Sequence, residues 1–355
     1  MSERVLVAMS GGVDSSVAAA LLVEQGFDVV GVSMRLSAEG SRCCSLDDVE
    51  DARRVATALG IRFYVADYTD AFRREVMEPF ADAYLGGQTP IPCVACNGRF
   101  KFHRLLERAR ALGAERVATG HYARIERGGG DAGLELHCGA DPRKDQSYFL
   151  FDLGPDQLSR ACFPVGALTK QEVRERARRL GLGTAEKPES QEICFVPDGD
   201  YARVVETLRP GAAPGAGEIL DEEGNVLGRH RGVHHFTVGQ RRGLDLALGR
   251  PMYVKRIDAA RNRVVVAERS ALGAAGARLV GVHWVAGRAP ASPVRARVRV
   301  RYRHPGAEAR VEALDRQGAQ VAFDDPVEAV TPGQAAVFYD GSQVLGGGWI
   351  AEAVS

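Results

Sequence analysis

The string Ser10-Gly11-Gly12-Val13-Asp14-Ser15-Ser16, directly after the apolar run 5–8, restricts the fold more than any other stretch of the chain. Val5, Leu6, Val7 and Ala8 read as a strand, and residues 17–25 carry an apolar pattern of helical period. Two glycines between a strand and a helix let the backbone approach a bound group closely. The serine hydroxyls donate hydrogen bonds, and the helix N-terminus adds oriented amides and a partial positive charge. Together these make a phosphate cradle. The Gly-Lys-Ser/Thr ending of a Walker loop is missing, so a motor working on a γ-phosphate is not implied.

A strand, loop and helix of this kind need neighbours to bury their apolar faces, and the following sequence supplies them. Runs 29–32, 63–66 and 117–119 read as strands, alternating with helical patterns over 46–59, 71–85 and 100–112. This predicts an α/β fold with a doubly wound parallel sheet, whose ligands sit where strand ends meet helix starts. Residues 134–138 read as an added strand or hairpin of the same domain, and Thr169 with Glu172 forms the capping-box start of a helix ending near Leu180. Beyond about Pro210, proline and glycine punctuate short Val-rich runs at 252–257, 263–267 and 295–303. We expect a nucleotide-binding catalytic domain over 1–208, a central β-rich domain over 209–272 and a C-terminal β-barrel over 273–355.

With 355 residues, 45% hydrophobic and 26% charged, the chain has the composition of a globular protein of two or three domains. The N-terminal apolar run is too short for a signal peptide or a membrane helix, so a cytoplasmic protein with no membrane partner is expected. The formal net charge of zero gives no general argument for a polyanionic partner. Charge is uneven, however: between positions 278 and 310 there are eight arginines and one acid, Glu308. Arg295, Arg297, Arg299, Arg301 and Arg303 recur at period two and on a strand would share one face, with Tyr302 and His304 on the other. Such a row is either a solvated barrel face or a binder of nucleic-acid phosphates.

Seven cysteines in a chain of this kind read as catalytic, metal-binding or core residues rather than as disulfide staples. Cys93 and Cys96 lie in Thr89-Pro90-Ile91-Pro92-Cys93-Val94-Ala95-Cys96-Asn97, where two prolines predict an exposed loop. Cys194 follows Ser190-Gln191-Glu192-Ile193, just beyond Pro188. Cys138 and Cys162 have apolar neighbours and read as packing residues, and the vicinal Cys43 and Cys44 as structural or incidental. Cys93 and Cys96 could be half of a zinc site, but no second Cys-x-x-Cys completes it.

The phosphate loop resembles the PP-loop of ATP pyrophosphatases, a class that also acts on small metabolites. Taken with Thr119-Gly120-His121-Tyr122, Lys144-Asp145-Gln146-Ser147-Tyr148-Phe149 and Thr237-Val238-Gly239-Gln240-Arg241-Arg242-Gly243, the cysteine segments look like those of the bacterial tRNA 2-thiouridylases. The resemblance runs from Val5 to about Ile350. It implies ATP-dependent 2-thiolation of the wobble uridine of tRNA. ATP with Mg2+ would be bound by Ala8, Met9, Ser10, Gly11, Gly12, Val13, Asp14 and Ser15, with Met34 and Gly120 also in contact. Asp14 would help to hold magnesium or orient the loop. Cys96 would be the nucleophile and Cys194 the persulfide carrier, fed by a cysteine desulfurase relay, with a Cys96–Cys194 disulfide left after sulfur transfer. Ile91, Pro92 and Cys93 would lie beside the target base, and His121, Lys144, Asp145, Gln146, Arg301, Tyr302 and Gln334 would touch tRNA.

One departure matters. Many members of that family have Asp at the Cys93 position, and its absence leaves the general acid or base unassigned. Two routes are then open: Cys93 is a small replacement, or Cys93, Cys96 and Cys194 together hold a [4Fe-4S] cluster. The rival reading of a pyrophosphatase acting on a small metabolite requires neither loop cysteine.

Overall fold

The computed structural model describes residues 2–36, 46–129, 133–188, 193–196 and 198–355. Cys43, Cys44, Ser190, Gln191 and Glu192 lie outside the described residues. Strands β1 (Arg4–Ala8), β2 (Asp28–Arg35), β3 (Arg62–Asp67), β4 (Arg116–Ala118), β5 (Ala123–Arg127), β6 (Leu134–Cys138) and β7 (Ala161–Cys162) occupy the first half. Five of them form a wholly parallel sheet in the order β3-β2-β1-β4-β7. The order reverses at β1, so the crevice between the loops after β1 and β4 is the topological switch point where ligands bind in such sheets.

Apolar side chains cover both faces of this sheet, as a parallel sheet between helices requires. On one face Val5 and Val7 pack with Val17 and Leu22 of helix Val13–Glu24; on the other Leu6 and Val32 pack with Phe72, Phe80 and Phe100. The capping box at Thr169 forms as expected: Thr169 N–H donates to Glu172 Oε2 at 2.7 Å and Glu172 N–H to Thr169 Oγ1 at 3.3 Å.

Four strands, β8 (Gly217–Leu220), β9 (Val226–His230), β10 (Tyr253–Asp258) and β11 (Arg263–Ala267), make a second sheet ordered β10-β11-β8-β9. The last six are β12 (Gly273–Trp284), β13 (Val294–Arg299), β14 (Ala307–Ala313), β15 (Gly318–Glu328), β16 (Ala335–Asp340) and β17 (Gln343–Val354). They run β12-β15-β14-β13-β16-β17, and pairing of β12 with β17 closes them into a barrel filled by Leu279, Val298, Val311, Phe338 and Ile350.

The hairpin β5–β6 is part of the barrel's sheet rather than of the parallel sheet: Leu136 and His137 pair with Val344 and Gln343 of β17. The barrel therefore shares a core with the first module, and Ala335, Val337, Tyr339 and Val344 pack in the same apolar cluster as Phe100 and Tyr148.

Two expectations need correction. The double-proline segment is not an exposed loop: Pro92–Ala95 is helical and continues through a π-helical stretch, Cys96–Phe102, into helix His103–Ala111. Pro92 sits at the start of that helix, where its missing N–H costs no hydrogen bond and its fixed φ suits the first turn. The arginine row is also shorter than its period suggests. Strand β13 ends at Arg299, because Pro305 and Gly306, the latter at φ 98°, turn the chain back into β14. Arg301 and Arg303 lie in that turn, off the face shared by Arg295, Arg297 and Arg299.

Candidate active site

The phosphate loop has the geometry its sequence predicts. Gly11 has φ 72°, and a Cβ there would lie 2.1 Å from the carbonyl oxygen of Asp48, so only glycine fits beneath helix Leu46–Ala58. Gly12 caps the next helix with extended backbone and no side chain of its own. Ser15 Oγ accepts from Ser10 N–H at 3.2 Å and donates to Gly12 O at 3.1 Å, closing the loop on itself. The loop after β4 abuts it: a Cβ on Gly120 would lie 2.6 Å from Ser15 N. Ala8 to Ser15 and Gly120 are thus brought together at the switch point. Met34, buried on β2, packs in the apolar cluster that also holds Cys96.

The carboxylate of Asp14 does not point into open space. Lys170 Nζ donates to both of its oxygens at 2.8 Å, and Tyr122 Oη donates to Oδ1 at 2.6 Å. Lys170 opens its helix, where the helix dipole disfavours a cation. Asp14 supplies the compensating charge. Lys170 N–H in turn donates to Asp141 Oδ2 at 3.1 Å. Beside this pair is a concavity of about 490 Å³ lined by Asp141, Arg143, Lys144, Lys170, Gln171, Arg174 and Arg178.

Cys96 and Cys194 come from different segments but pack on one apolar cluster. Cys96 is buried at the first position of the π-helical stretch, a distortion often found at functional sites. Cys93, three residues earlier and half-buried, lies on the same side of the helical turn. Cys194 is in a short turn closed by Val196 N–H donating to Ile193 O at 2.8 Å. The aromatic ring of Phe195, next in sequence, meets Phe72 at 5.9 Å and Phe80 at 5.1 Å, and Phe72 meets Phe100 at 5.6 Å. Phe100 is one helical turn beyond Cys96. Edge-to-face ring contacts thus tie the Cys194 segment to the helix that carries Cys96. Cys93, Cys96, Cys138, Cys162 and Cys194 are all free of disulfides. Burial pushes the thiols of Cys138 and Cys162 up, as suits packing residues.

The residues expected to touch tRNA divide into two groups. Lys144 lines the basic concavity, Arg301 is exposed, and Tyr302 leaves the barrel turn to lay its ring 4.4 Å from that of Phe149. Burial raises the Tyr302 hydroxyl, with smaller contributions from the fields of Asp145 and Cys93, which sets this barrel residue beside the Pro92–Ala95 helix. The second group is engaged in holding the fold. Asp145 is 5% exposed; its Oδ1 accepts from Gly139 and Ser147 N–H, and its Oδ2 from Arg299 at 2.9 Å. Gln146 Oε1 accepts from Tyr122 N–H, and Gln334 Nε2 donates to Thr89 O at 2.8 Å. Burial, with Lys101 nearby, lowers His121 to about 3, so the ring is neutral and its Nδ1 lies 2.7 Å from Thr119 Oγ1. Ile91 and Pro92 form the start of the cysteine helix, half-buried and buried respectively.

Sequence reasoning missed Lys170, the role of Tyr122, and Asp152. The last presses its carboxylate against Gly98 in the π-helical stretch, where a Cβ would lie 2.2 Å from Oδ1. A lysine at the first position of a capped helix was the one legible hint of a buried partner.

A parallel sheet with its phosphate loop at the switch point, joined to two β modules, defines a nucleotide-binding enzyme of the HUP class. Family models agree along the chain: a tRNA methyl transferase HUP domain matches 3–198, a tRNA methyl transferase PRC-barrel domain 206–268 and an aminomethyltransferase β-barrel domain 276–350. Proteins called tRNA-specific 2-thiouridylase MnmA are similar over nearly the full length. The one from Geobacter metallireducens is 52% identical over 99% of this chain and 98% of its own. That from Geotalea uraniireducens is 50% identical over 99% and 96%, and that from Rhodospirillum centenum 52% identical over 99% and 92%. The chain belongs to the tRNA-specific 2-thiouridylase family.

Proposed function

We propose that this protein is a cytoplasmic enzyme that replaces O2 of the wobble uridine of tRNA with sulfur at the expense of ATP. The observation that carries the reading is the pairing of a phosphate loop with Cys96 and Cys194 on one apolar cluster. A uracil oxygen is a poor leaving group. Attack of that oxygen on the α-phosphorus of ATP releases pyrophosphate and turns it into AMP, a good one. The loop amides and the N-terminus of helix Val13–Glu24 offset the phosphate charge during this step.

Sulfur then enters at C2. A persulfide on Cys194, loaded by a cysteine desulfurase relay, attacks with its terminal sulfur and AMP departs. The Cys96 thiolate next attacks Cys194 Sγ, which frees 2-thiouridine and leaves a Cys96–Cys194 disulfide for an external thiol to reduce. Lys144, Arg143, Arg174 and Arg178 around the basic concavity, together with Arg301, meet tRNA phosphates. The chain divides for this work into a catalytic domain over 1–208, a central domain over 209–272 and a barrel over 273–355, each centred on one of the sheets.

Asp14, held by Lys170 Nζ and Tyr122 Oη, is placed to orient the loop, and the Lys170 charge beside it disfavours a cation there, so magnesium enters with the nucleotide. The three thiols of Cys93, Cys96 and Cys194 do fit the soft donor set of an iron–sulfur cluster, with the first two on one side of a helical turn. Such a cluster would offer a sulfur-binding iron at its uncoordinated corner. The cluster is an alternative to the Cys194 persulfide, since the same thiols cannot serve both, and iron and sulfide analysis of anaerobically purified protein decides between them. About four irons per chain, lost in Cys93→Ala together with thiolation, would support the cluster, and full thiolation by iron-free protein excludes a requirement for it. The function itself is tested by mass spectrometry of tRNA nucleosides from cells with and without the chain. Disappearance of 2-thiouridine is expected; unchanged nucleosides contradict the reading.

A further inference from the structure

One group of ligating side chains uses none of the cysteines and plays no part in the chemistry above. Glu206 stands on helix Tyr201–Leu208, and the 3-10 turn Val233–His235 brings His234 and His235 against it. His234 Nε2 is 3.1 Å and His235 Nε2 3.8 Å from Glu206 Oε1. One ligand atom from each residue lies within 4.8 Å of the other two, the only such group of three among the described residues. With zinc bonds of about 2.0–2.1 Å, tetrahedral geometry places ligand atoms about 3.3 Å apart. The two measured separations bracket that spacing.

The surroundings are those of a built site. Val233 and Phe236, on either side of the histidines, are core residues of the central module, whereas the two imidazoles turn together toward Glu206 with ring centroids 4.2 Å apart. The side chain of His234 is 2% exposed, and its Nδ1 makes no hydrogen bond. Burying an imidazole this way is costly, and a single pair with a half-exposed carboxylate repays little of it. Two imidazoles and one carboxylate are a ligand set zinc accepts with a fourth position left to water.

We propose that Glu206, His234 and His235 form a site for zinc or a similar divalent transition metal, clipping helix Tyr201–Leu208 to the central module. In the metal-free chain the Nε2–H of His234 bonds to Glu206; metal binding moves that proton to Nδ1 and puts the cation between the three side chains. A ligand that binds only the assembled junction stabilises it. Cobalt(II) is the probe, since its spectrum distinguishes thiolate from nitrogen and oxygen ligands. Full-length protein stripped with a chelator is expected to bind one cobalt without thiolate charge-transfer bands, and to keep it when Cys93, Cys96 and Cys194 are all replaced by alanine. Glu206→Gln, at an exposed position that leaves folding intact, and His235→Ala should each weaken binding at least tenfold and abolish the rise in melting temperature that zinc gives the parent. Cobalt bound only through thiolates, no uptake at all, or parental affinity in Glu206→Gln would overturn the proposal.

Discussion

Asp152 tests how the π-helical stretch beginning at Cys96 is built. The residue is partly accessible, yet both carboxylate oxygens are buried and make no hydrogen bond, and they press against Gly98. Burial raises the carboxyl from its ordinary 3.8 to about 7, with Arg99 opposing only in part. The guanidinium of Arg99 lies instead over the Trp349 ring, 4.9 Å from its centroid. Between about pH 4 and 7 the folded chain therefore keeps a proton that the unfolded chain has given up, so stability falls as pH rises through that window and is level above it. At about 1.4 kcal/mol per pH unit, the fall attributable to this group is roughly 4 kcal/mol. Asp152→Asn keeps the shape and removes the titration. Urea unfolding followed by tryptophan fluorescence should give the variant and parent similar stability at pH 4.5, and a variant more stable by about 3–4 kcal/mol at pH 8.5. Parallel pH profiles for the two proteins would mean that Asp152 holds no extra proton in the folded chain.

Gly120→Ala places a methyl 2.6 Å from the Ser15 amide, so the phosphate loop must shift; tRNA-dependent pyrophosphate release should drop at least tenfold while the circular dichroism spectrum is retained. Lys170→Met removes the cation that orients Asp14 and should lower the same rate by a similar factor, whereas a parental rate would return Lys170 to a structural role. Arg299→Ala leaves the buried Asp145 carboxylate without its countercharge and should cost about 3 kcal/mol in urea melts. Arg301→Ala should leave stability unchanged and reduce the slope of log tRNA affinity against log salt by about one.

The parallel sheet was legible because its strands and helices announce themselves by period and its phosphate loop by glycines that nothing else explains. The β-barrel could be expected from short Val-rich runs, but its closure and the enrolment of the β5–β6 hairpin depend on pairings distant in sequence, such as Leu136 with Val344. Helix Tyr201–Leu208 went unrecognised at the end of the first module. The helix through Cys93 and Cys96 was hidden by Pro90 and Pro92, since a proline that forbids a helix interior also starts a helix well. Period two ran through Arg303, yet Pro305 and Gly306 ended the strand and put Tyr302 beside Phe149 and the Cys93 helix. Contacts such as Lys170 with Asp14 leave almost no trace in a single sequence, because the residues are far apart in the chain and neither is unusual alone.

The most direct test of the account is a single-turnover reaction of purified full-length protein with ATP, a persulfide donor and unmodified tRNA, followed by quantification of AMP and 2-thiouridine. The parent should form one AMP for each 2-thiouridine. Cys194→Ser and Cys96→Ser should form no 2-thiouridine although both still bind ATP. Thiolation at the parental rate by Cys194→Ser, or 2-thiouridine formed without AMP, would contradict the account.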